Sequence, residues 1–116
     1  MTIILKNKHS LEIDSFKFKC CVGKKKFSKE KIEGDKKTPK GIFDLEKLYY
    51  RGDKISKPFT KLQCVKISRN MGWCNDEKNS KNYNKLISTK KKIRNEKLYR
   101  KDFKYDLVIP IKYNWR

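Results

Sequence analysis

Apolar residues along this chain recur mostly at every second position, which is the period of a β-strand with one buried face. The alternating segments are short and end near glycine, proline, asparagine or other turn residues, as strands joined by tight turns do. The segment at 105–111 is the most hydrophobic and is predicted to be a central strand, although Pro110 limits pairing at its end. The predicted strands are residues 2–5, 11–13, 16–22, 41–50, 62–67 and 105–111.

Helical signals are weak by comparison. Residues 95–100 are predicted to form one or two helical turns, with Asn95 as the N-cap. The pattern as a whole therefore predicts a mainly β fold, a sandwich or partly closed barrel of short strands with one short helix. At 116 residues, without a linker or an internal repeat, residues 1–116 are predicted to form a single domain.

The composition adds a heavily charged surface to this picture. Charged residues make up 39% of the chain and hydrophobic residues 36%, so we expect a thin core. The formal net charge of +19 suggests an anionic partner, which can be nucleic acid, an anionic membrane surface or a carboxylate-rich cell-wall polymer. Lysine far outnumbers arginine and alanine is missing, as the coding bias of an AT-rich genome would also produce. Charge alone therefore predicts only weak polyanion binding at low salt.

The cysteines and the single histidine do not form a recognisable metal motif. Cys20, Cys21, Cys64 and Cys74 lack zinc-site spacing, and His9 is distant from most of them in sequence. No metal and no cofactor are predicted, and free thiols are expected, with a Cys64–Cys74 disulfide as the alternative. Catalysis by Cys74 would need an activating base, and His9 is the only imidazole. The chain has no apolar run long enough for a signal-peptide core or a membrane span, so the compartment stays unknown.

Two turns are predicted within residues 33–43. Gly34 and Asp35 mark the first turn. In the second, Pro39 fixes its own φ and pushes Thr38 toward extended geometry, while Gly41 tolerates a positive φ. An ordinary loop between strands would use the same residues. The residues of this predicted structural motif are Glu33, Gly34, Asp35, Thr38, Pro39 and Gly41.

A polar loop is predicted at residues 70–76, after the strand at 62–67. An aromatic residue stands there beside glycine, amide and carboxylate groups, a composition that can line a substrate groove. The alternative is a structural loop in which Trp73 covers the core and Asp76 caps a turn. The predicted substrate-binding residues are Gly72, Trp73, Asp76, Tyr83 and Asn84.

Taken in order, these segments resemble the N-terminal half of the catalytic domain of L,D-transpeptidases of the YkuD type. The resemblance extends over nearly the whole chain, and the ordered series is more specific than any single block. The blocks are residues 21–24, 31–35, 38–43, 50–53, 58–60, 72–76, 83–84, 96–102 and 105–109.

The resemblance implies an L,D-transpeptidase-like, mostly β fold and an enzyme of bacterial cell-wall metabolism. In that family a cysteine thiolate attacks a stem-peptide carbonyl, and the amine of a neighbouring stem resolves the acyl-enzyme into a cross-link. A histidine acts as base and backbone N–H groups stabilise the oxyanion, without a metal or cofactor. The expected partners are peptidoglycan stem peptides, and the implied location is the cell envelope.

The family's catalytic residues have no counterparts here. Its histidine and its Ser/Thr-x-Gly-Cys motif follow the strand matched by residues 105–111, and residues 112–116 contain neither. No catalytic residue is therefore assigned, and the chain is expected to be inactive alone. A β domain without its final strands exposes an unpaired edge, so we expect a truncated domain that a C-terminal segment can complement. A truncated reading frame, a degenerate copy and one half of a split enzyme are the three alternatives. The alternative hypothesis is a non-catalytic basic module that binds an anionic polymer, either peptidoglycan or nucleic acid.

Overall fold

The computed structural model describes residues 2–31 and 34–113, and the regular structure in these two ranges consists of β-strands without a helix. The prediction of a mainly β fold is confirmed. The chain folds as two units, Met1–Ile42 and Phe43–Arg116. Each sheet in the described ranges is open, and none closes into a barrel.

The first unit begins with an antiparallel three-stranded sheet of β1 (Ile3–Leu5), β2 (Ser10–Ile13) and β3 (Phe16–Lys19). Cross-strand pairing aligns apolar side chains on one face, because Leu11 lies opposite both Leu5 and Phe18. The other face carries charged residues such as Lys17 and Glu12, which also lie opposite each other. The alternation of the sequence therefore determines which side of the sheet is apolar.

A short parallel pair, β4 (Phe27–Ser28) and β5 (Thr38–Pro39), completes the first unit. The Thr38 amide donates to the Lys26 carbonyl at 2.6 Å, and the Lys40 amide donates to the Ser28 carbonyl at 2.8 Å. Next to this pair, the Gly23 amide donates to Thr38 Oγ1 at 2.8 Å. Two segments that are distant in sequence are thus joined backbone to backbone.

Gly23→Ala should loosen this parallel pair. A Cβ atom at Gly23 would lie 2.5 Å from the Lys36 carbonyl oxygen and 2.8 Å from the Lys37 carbonyl carbon. Both are backbone atoms that cannot rotate away, so the segments must separate, at an expected cost of about 1–3 kcal/mol. Hydrogen exchange of the Thr38 amide should accelerate accordingly.

The matched control for this test is Gly34→Asn. Gly34 has a φ of 81° and open space around it, and asparagine tolerates that left-handed conformation. The control should leave the exchange of the Thr38 amide unchanged. Equal exchange rates in Gly23→Ala and wild type would show that the close approach at Gly23 is unimportant.

The second unit contains two three-stranded sheets. In the first, β6 (Leu48–Tyr50) lies between β11 (Leu107–Val108), to which it is antiparallel, and β7 (Cys64–Lys66), to which it is parallel. In the second, β8 (Met71–Cys74) lies between β9 (Leu86–Ser88) and β10 (Asn95–Lys97), both antiparallel to it. Residues from both sheets meet in one small core.

This core is built around three buried side chains, Tyr49, Ile67 and Leu98. Its members are aromatic or long aliphatic residues, which bury much apolar area for each position ordered. The partly buried residues packed against it are Val65, Met71, Trp73, Tyr99, Tyr105 and Val108. The expectation of a thin core is therefore met in the second unit.

Three predictions of local structure are wrong. The helix predicted at 95–100 is strand β10, because Glu96 pairs with Trp73 and long-range pairing outweighs a local N-cap signal. The loop predicted at 70–76 contains the central strand β8. Glycine at position 72 is typical of a turn, so the segment was not predicted to be a strand. The strand predicted at 105–111 as central supplies only β11, which is an edge of its sheet as described. The hydrophobicity of a segment thus does not predict whether its strand is central or at the edge of a sheet in this protein.

Candidate functional site

Asn84 connects the predicted groove residues on β8 to the turn that follows them. Trp73 Nε1 donates to Asn84 Oδ1 at 2.8 Å, and Asn84 Nδ2 donates to the Tyr113 carbonyl at 3.0 Å. The Asn84 amide also donates to the Cys74 carbonyl at 3.0 Å, and its φ is 60°, which asparagine tolerates better than most residues. Asn84 therefore fixes the Trp73 indole and two backbone segments at once.

Trp73 and Gly72 are both part of the sheet and its packing. The half-buried Trp73 ring packs against the core and meets the Tyr49 ring edge-on, with 6.3 Å between centroids. Gly72 is buried, and the Asn95 side chain lies where a Cβ would be. These contacts agree with the structural alternative for Trp73, while substrate binding by these residues stays a prediction.

Asp76 and Tyr83 lie in the connection between β8 and β9. Asp76 Oδ1 accepts from the Lys78 amide at 3.2 Å, so Asp76 does cap a turn. The Asn79 amide donates to the Asp76 carbonyl at 3.0 Å, and the Tyr83 amide donates to the Asn79 carbonyl at 2.8 Å. Hydrogen-bonded turns thus carry the chain from Asp76 to Tyr83, and Asn84 follows directly.

The motif predicted at 33–43 lies in the first unit, and Glu33 is outside the described residues. Gly41 has a φ of 149°, a conformation that glycine tolerates, and Gly34 also has a positive φ. Thr38 is extended in β5 as Pro39 requires. Asp35 Oδ1 accepts from the Lys37 amide at 2.9 Å and from Lys31 Nζ at 2.8 Å. Backbone geometry therefore explains the motif.

The most connected polar group of the second unit was not predicted from the sequence. We call it the Arg51 cluster, formed by Arg51, Asp53, Tyr99 and Arg100. The Arg51 side chain is 4% exposed, and its Nε and Nη2 donate to the two Asp53 carboxylate oxygens, each at 2.8 Å. Its Nη1 donates to the Arg100 carbonyl, and its guanidinium carbon lies 3.8 Å from the Tyr99 ring centroid. Each of the three guanidinium nitrogens thus donates a hydrogen bond, and the plane of the group lies against the Tyr99 ring.

Further ion pairs and a side-chain hydrogen bond involve residues close in sequence to the Arg51 cluster. Arg100 donates through Nε and Nη2 to the carboxylate of Asp102, with the shortest contact at 2.8 Å. The Tyr105 hydroxyl donates to Glu96 Oε1, and Lys54 Nζ donates to Asp106 Oδ1 at 3.1 Å. The signal available in the sequence was the pair of charged blocks at 50–53 and 96–102, but nothing in it indicated their contact.

Electrostatics in this region hold the acidic groups charged and the tyrosines neutral. Hydrogen bonds from Arg51 hold the pKa of Asp53 well below its usual range. Hydrogen bonds from Arg100 lower the pKa of Asp102 to about 2. Burial raises the pKa of Tyr105 well above its ordinary value. Each of these pKa values moves away from pH 7. The groups therefore do not exchange protons readily at neutral pH, and the arrangement favours a structural role over proton transfer.

The four cysteines are free thiols, and they differ in accessibility. Cys74 is 1% exposed and sits in the centre of a sheet, whereas Cys21 is exposed. Within residues 2–31 and 34–113, no three His, Cys, Asp or Glu side chains are grouped so that they could hold a metal ion. The same ranges contain no helix of the length and apolar character needed to cross a bilayer.

Tyr49→Phe should flatten the alkaline side of the stability curve. Burial raises the pKa of Tyr49 to about 12, above its ordinary 10.0, with a further contribution from Glu46. Because the folded state holds the proton more tightly, this contribution to stability is complete below pH 10 and is lost as pH rises through 12. Urea titrations at pH 8, 10 and 12 should show a smaller alkaline loss in the variant. Parallel curves for the two proteins would contradict this assignment.

Comparisons of the chain with protein-family models, curated proteins and solved structures found no match.

Proposed function

We propose that this chain supplies the scaffold and part of the substrate groove of an L,D-transpeptidase-like domain acting on peptidoglycan stem peptides. The groove consists of Gly72, Trp73, Asp76, Tyr83 and Asn84. None of the 116 residues takes the nucleophile or the base of that chemistry. The chain itself is therefore inactive in acyl transfer, and the catalytic groups come from a complementing segment.

The proposal is supported best by contacts between the sequence blocks that carry the resemblance. Block 50–53 contacts block 96–102 where Arg51 donates to the Arg100 carbonyl. Block 72–76 contacts block 83–84 through the bond from Trp73 to Asn84. In the first unit, Gly23 of block 21–24 donates to Thr38 of block 38–43.

These contacts support the proposal because sequence blocks that resemble the family by chance would not be expected to contact each other in pairs. Each pair is joined by a directed polar bond, and two of the three bonds involve a side chain together with backbone. A hydrogen bond of this kind depends on the residue type at its side-chain end, which is Arg51 in one bond and Thr38 in the other. Each pair of blocks therefore meets within its own unit, as an inherited scaffold would require.

In this proposal a stem peptide would contact the exposed part of the half-buried Trp73 indole and the Asp76 carboxylate. The Trp73 N–H is already bound to Asn84, so the indole face is what remains for a ligand. Asp76 is half-buried and can pair with an ammonium group of the stem. Recognition would then depend on the peptide part of peptidoglycan more than on its sugar.

The binding test is an NMR titration of the ¹⁵N-labelled chain with a disaccharide tetrapeptide. The Trp73 Nε1–H resonance should shift, with a dissociation constant in the millimolar range or tighter, about −4 kcal/mol or better. A chitin oligosaccharide without peptide should leave that resonance in place. An unshifted Trp73 resonance at about 5 mM tetrapeptide would overturn the groove assignment.

The test of inactivity is intact-protein mass spectrometry after incubation with a carbapenem. No covalent adduct is expected, because Cys74 is buried and none of the four cysteines stands in a Ser/Thr-x-Gly-Cys motif. Cys20, whose amide donates to the His9 carbonyl at 3.0 Å, is the thiol that lies beside the histidine. An active L,D-transpeptidase treated in parallel should gain one carbapenem. A stoichiometric adduct on any of the four cysteines would show that the chain has a working nucleophile.

A further inference from the structure

The first unit brings two runs of lysine together that are separate in the sequence. The Lys25 amide donates to the Lys36 carbonyl at 2.8 Å, one residue away from the bond between Thr38 and Lys26. Five cationic side chains consequently project from two directly bonded backbone segments. We call this group the lysine cluster; its members are Lys24, Lys25, Lys26, Lys36 and Lys37.

The lysine cluster is an unfavourable local arrangement unless an anion offsets it. Lys26 and Lys36 have φ values of 65° and 60°, a left-handed conformation that residues with long side chains rarely adopt. Asp35 is a carboxylate adjacent to Lys36, and it already accepts from Lys31 and from the Lys37 amide. Four of the five side chains are exposed, and none of the five forms an ion pair with a described residue. Strain and like charge are thus concentrated at one exposed place.

Strand β3, which leads into the lysine cluster, carries exposed aromatic residues. Phe16 is 67% exposed and Phe18 is 50% exposed. As alternate residues of one strand they share a face, about 6.6–6.8 Å apart along it. Since β3 is an edge of its sheet and only residues 20–23 separate it from Lys24, Phe18 and the cluster lie within about 22 Å of chain.

We propose that the first unit binds single-stranded nucleic acid, with its phosphates on the lysine cluster and its bases stacked on Phe16 and Phe18. Proteins that bind single strands combine a positively charged track with exposed aromatic side chains in this way. The net charge of +19 favours such a partner, and a carboxylate polymer offers nothing to stack on the phenyl rings.

The chemistry of the surface also predicts that recognition is tolerant of sequence. The first arginine of the chain is Arg51, so the first unit has no guanidinium for bidentate contacts to bases. Lysine acts on phosphate as a point charge and phenyl rings stack on any base. This inference concerns a unit that does not contain the proposed peptide groove, so either proposal can fail without the other.

The first experiment locates the charge contacts. Fluorescence anisotropy with a labelled 20-nucleotide oligo(dT) is measured between 20 and 200 mM salt for the full chain. In Lys24→Gln/Lys25→Gln/Lys36→Gln, the slope of log K against log salt should become shallower by about 2, since each lost phosphate contact removes about 0.7.

The control variant removes the same charge elsewhere. Lys90, Lys91 and Lys92 are exposed in the connection between β9 and β10, and their triple change to glutamine should alter the slope by less than half as much. An equal change of slope in both triple variants would mean that binding is diffuse, and it would overturn the site.

The second experiment tests base stacking. Wild type should bind oligo(dT) about tenfold or more tighter than an abasic strand of the same length. Phe16→Leu/Phe18→Leu keeps both positions apolar and should lose most of that difference while its affinity for the abasic strand stays unchanged. Equal affinity of wild type for the two strands would indicate a bare polyphosphate ligand and overturn the proposal. Competition by polyglutamate as effective as oligo(dT) at equal charge would also overturn it.

Discussion

Leu98→Ala should lower the free energy of unfolding of the second unit by about 2–5 kcal/mol. Leu98 is 2% exposed and lies in the core cluster with Tyr49 and Ile67. Truncation removes apolar contact area and leaves a cavity that the strands on either side cannot close, because their hydrogen bonds fix their spacing. The Leu98 amide itself donates to the Met71 carbonyl at 3.1 Å, so the backbone is held in place as well.

The size of this effect decides whether the variant folds at all. Domains of this size are stable by only about 5–15 kcal/mol, and a core with six buried apolar residues among those described places this unit toward the lower end. Urea denaturation followed by tryptophan fluorescence and circular dichroism should therefore give a much lower midpoint for Leu98→Ala. Leu98→Met, which nearly conserves volume, should lose less than about 1.5 kcal/mol.

Leu107→Ala is the matched control, because Leu107 is 53% exposed at the edge strand β11. It should change stability by about 0.5 kcal/mol or less. If Leu98→Ala and Leu107→Ala shifted the midpoint equally, the core would not be organised around Leu98.

Local sterics explain what the sequence predicted well. Thr38 and Gly41 have the conformations that their own chemistry and Pro39 require, and no distant contact was needed to foresee them. Similarly, each segment predicted as a strand contains one. The observed strand is shorter than predicted except at 11–13, where β2 (Ser10–Ile13) is one residue longer. For example, the predicted strand 16–22 is regular only over Phe16–Lys19. Period-two patterning therefore located strands more reliably than it located their ends.

Contacts between distant segments account for what could not be predicted. Gly72 interrupts the apolar pattern of β8. A Cβ atom at this position would collide with Asn95 Oδ1, so a larger residue would displace the Asn95 side chain. Residue Asn95 looked like a helix cap, but pairing of β10 with β8 determines its conformation. Likewise, Arg51 and Arg100 are 49 positions apart, so their contact has no local signature. The Arg51 cluster therefore could not be predicted from the sequence, and the groove residues stay a prediction.

Arg51→Met should destabilise the second unit far more than Arg69→Met does. Arg51 is buried and its guanidinium satisfies Asp53 and the Arg100 carbonyl, whereas Arg69 is exposed and lies 5.7 Å from the same Tyr99 ring. Methionine can fill much of the volume but leaves those acceptors without a donor. The denaturation midpoint of Arg51→Met should consequently fall several times as far as that of Arg69→Met.

Arg51→Lys should not restore the wild-type midpoint, because one ammonium cannot make the bidentate bond to Asp53 and also reach the Arg100 carbonyl. Asp53→Asn should be milder than either Arg51 variant, since the Asp53 side chain is 43% exposed and water can replace the lost partner. A rescue by lysine, or a larger loss in Asp53→Asn than in Arg51→Met, would contradict this account of the cluster.

The pH dependence separates the charge contribution of the Arg51 cluster from its packing. Arg51 holds the pKa of Asp53 below its ordinary 3.8, so the stability that this pair contributes is complete above that pH and is lost as pH falls toward the lowered folded value. The difference in stability between wild type and Arg51→Met should therefore be constant from pH 7 to about pH 4 and shrink below it. The part that remains at low pH measures the packing of Arg51 on Tyr99 and its bond to the Arg100 carbonyl. A difference that stayed constant down to pH 2 would mean that the ion pair contributes nothing and that Arg51 acts through packing and that carbonyl alone.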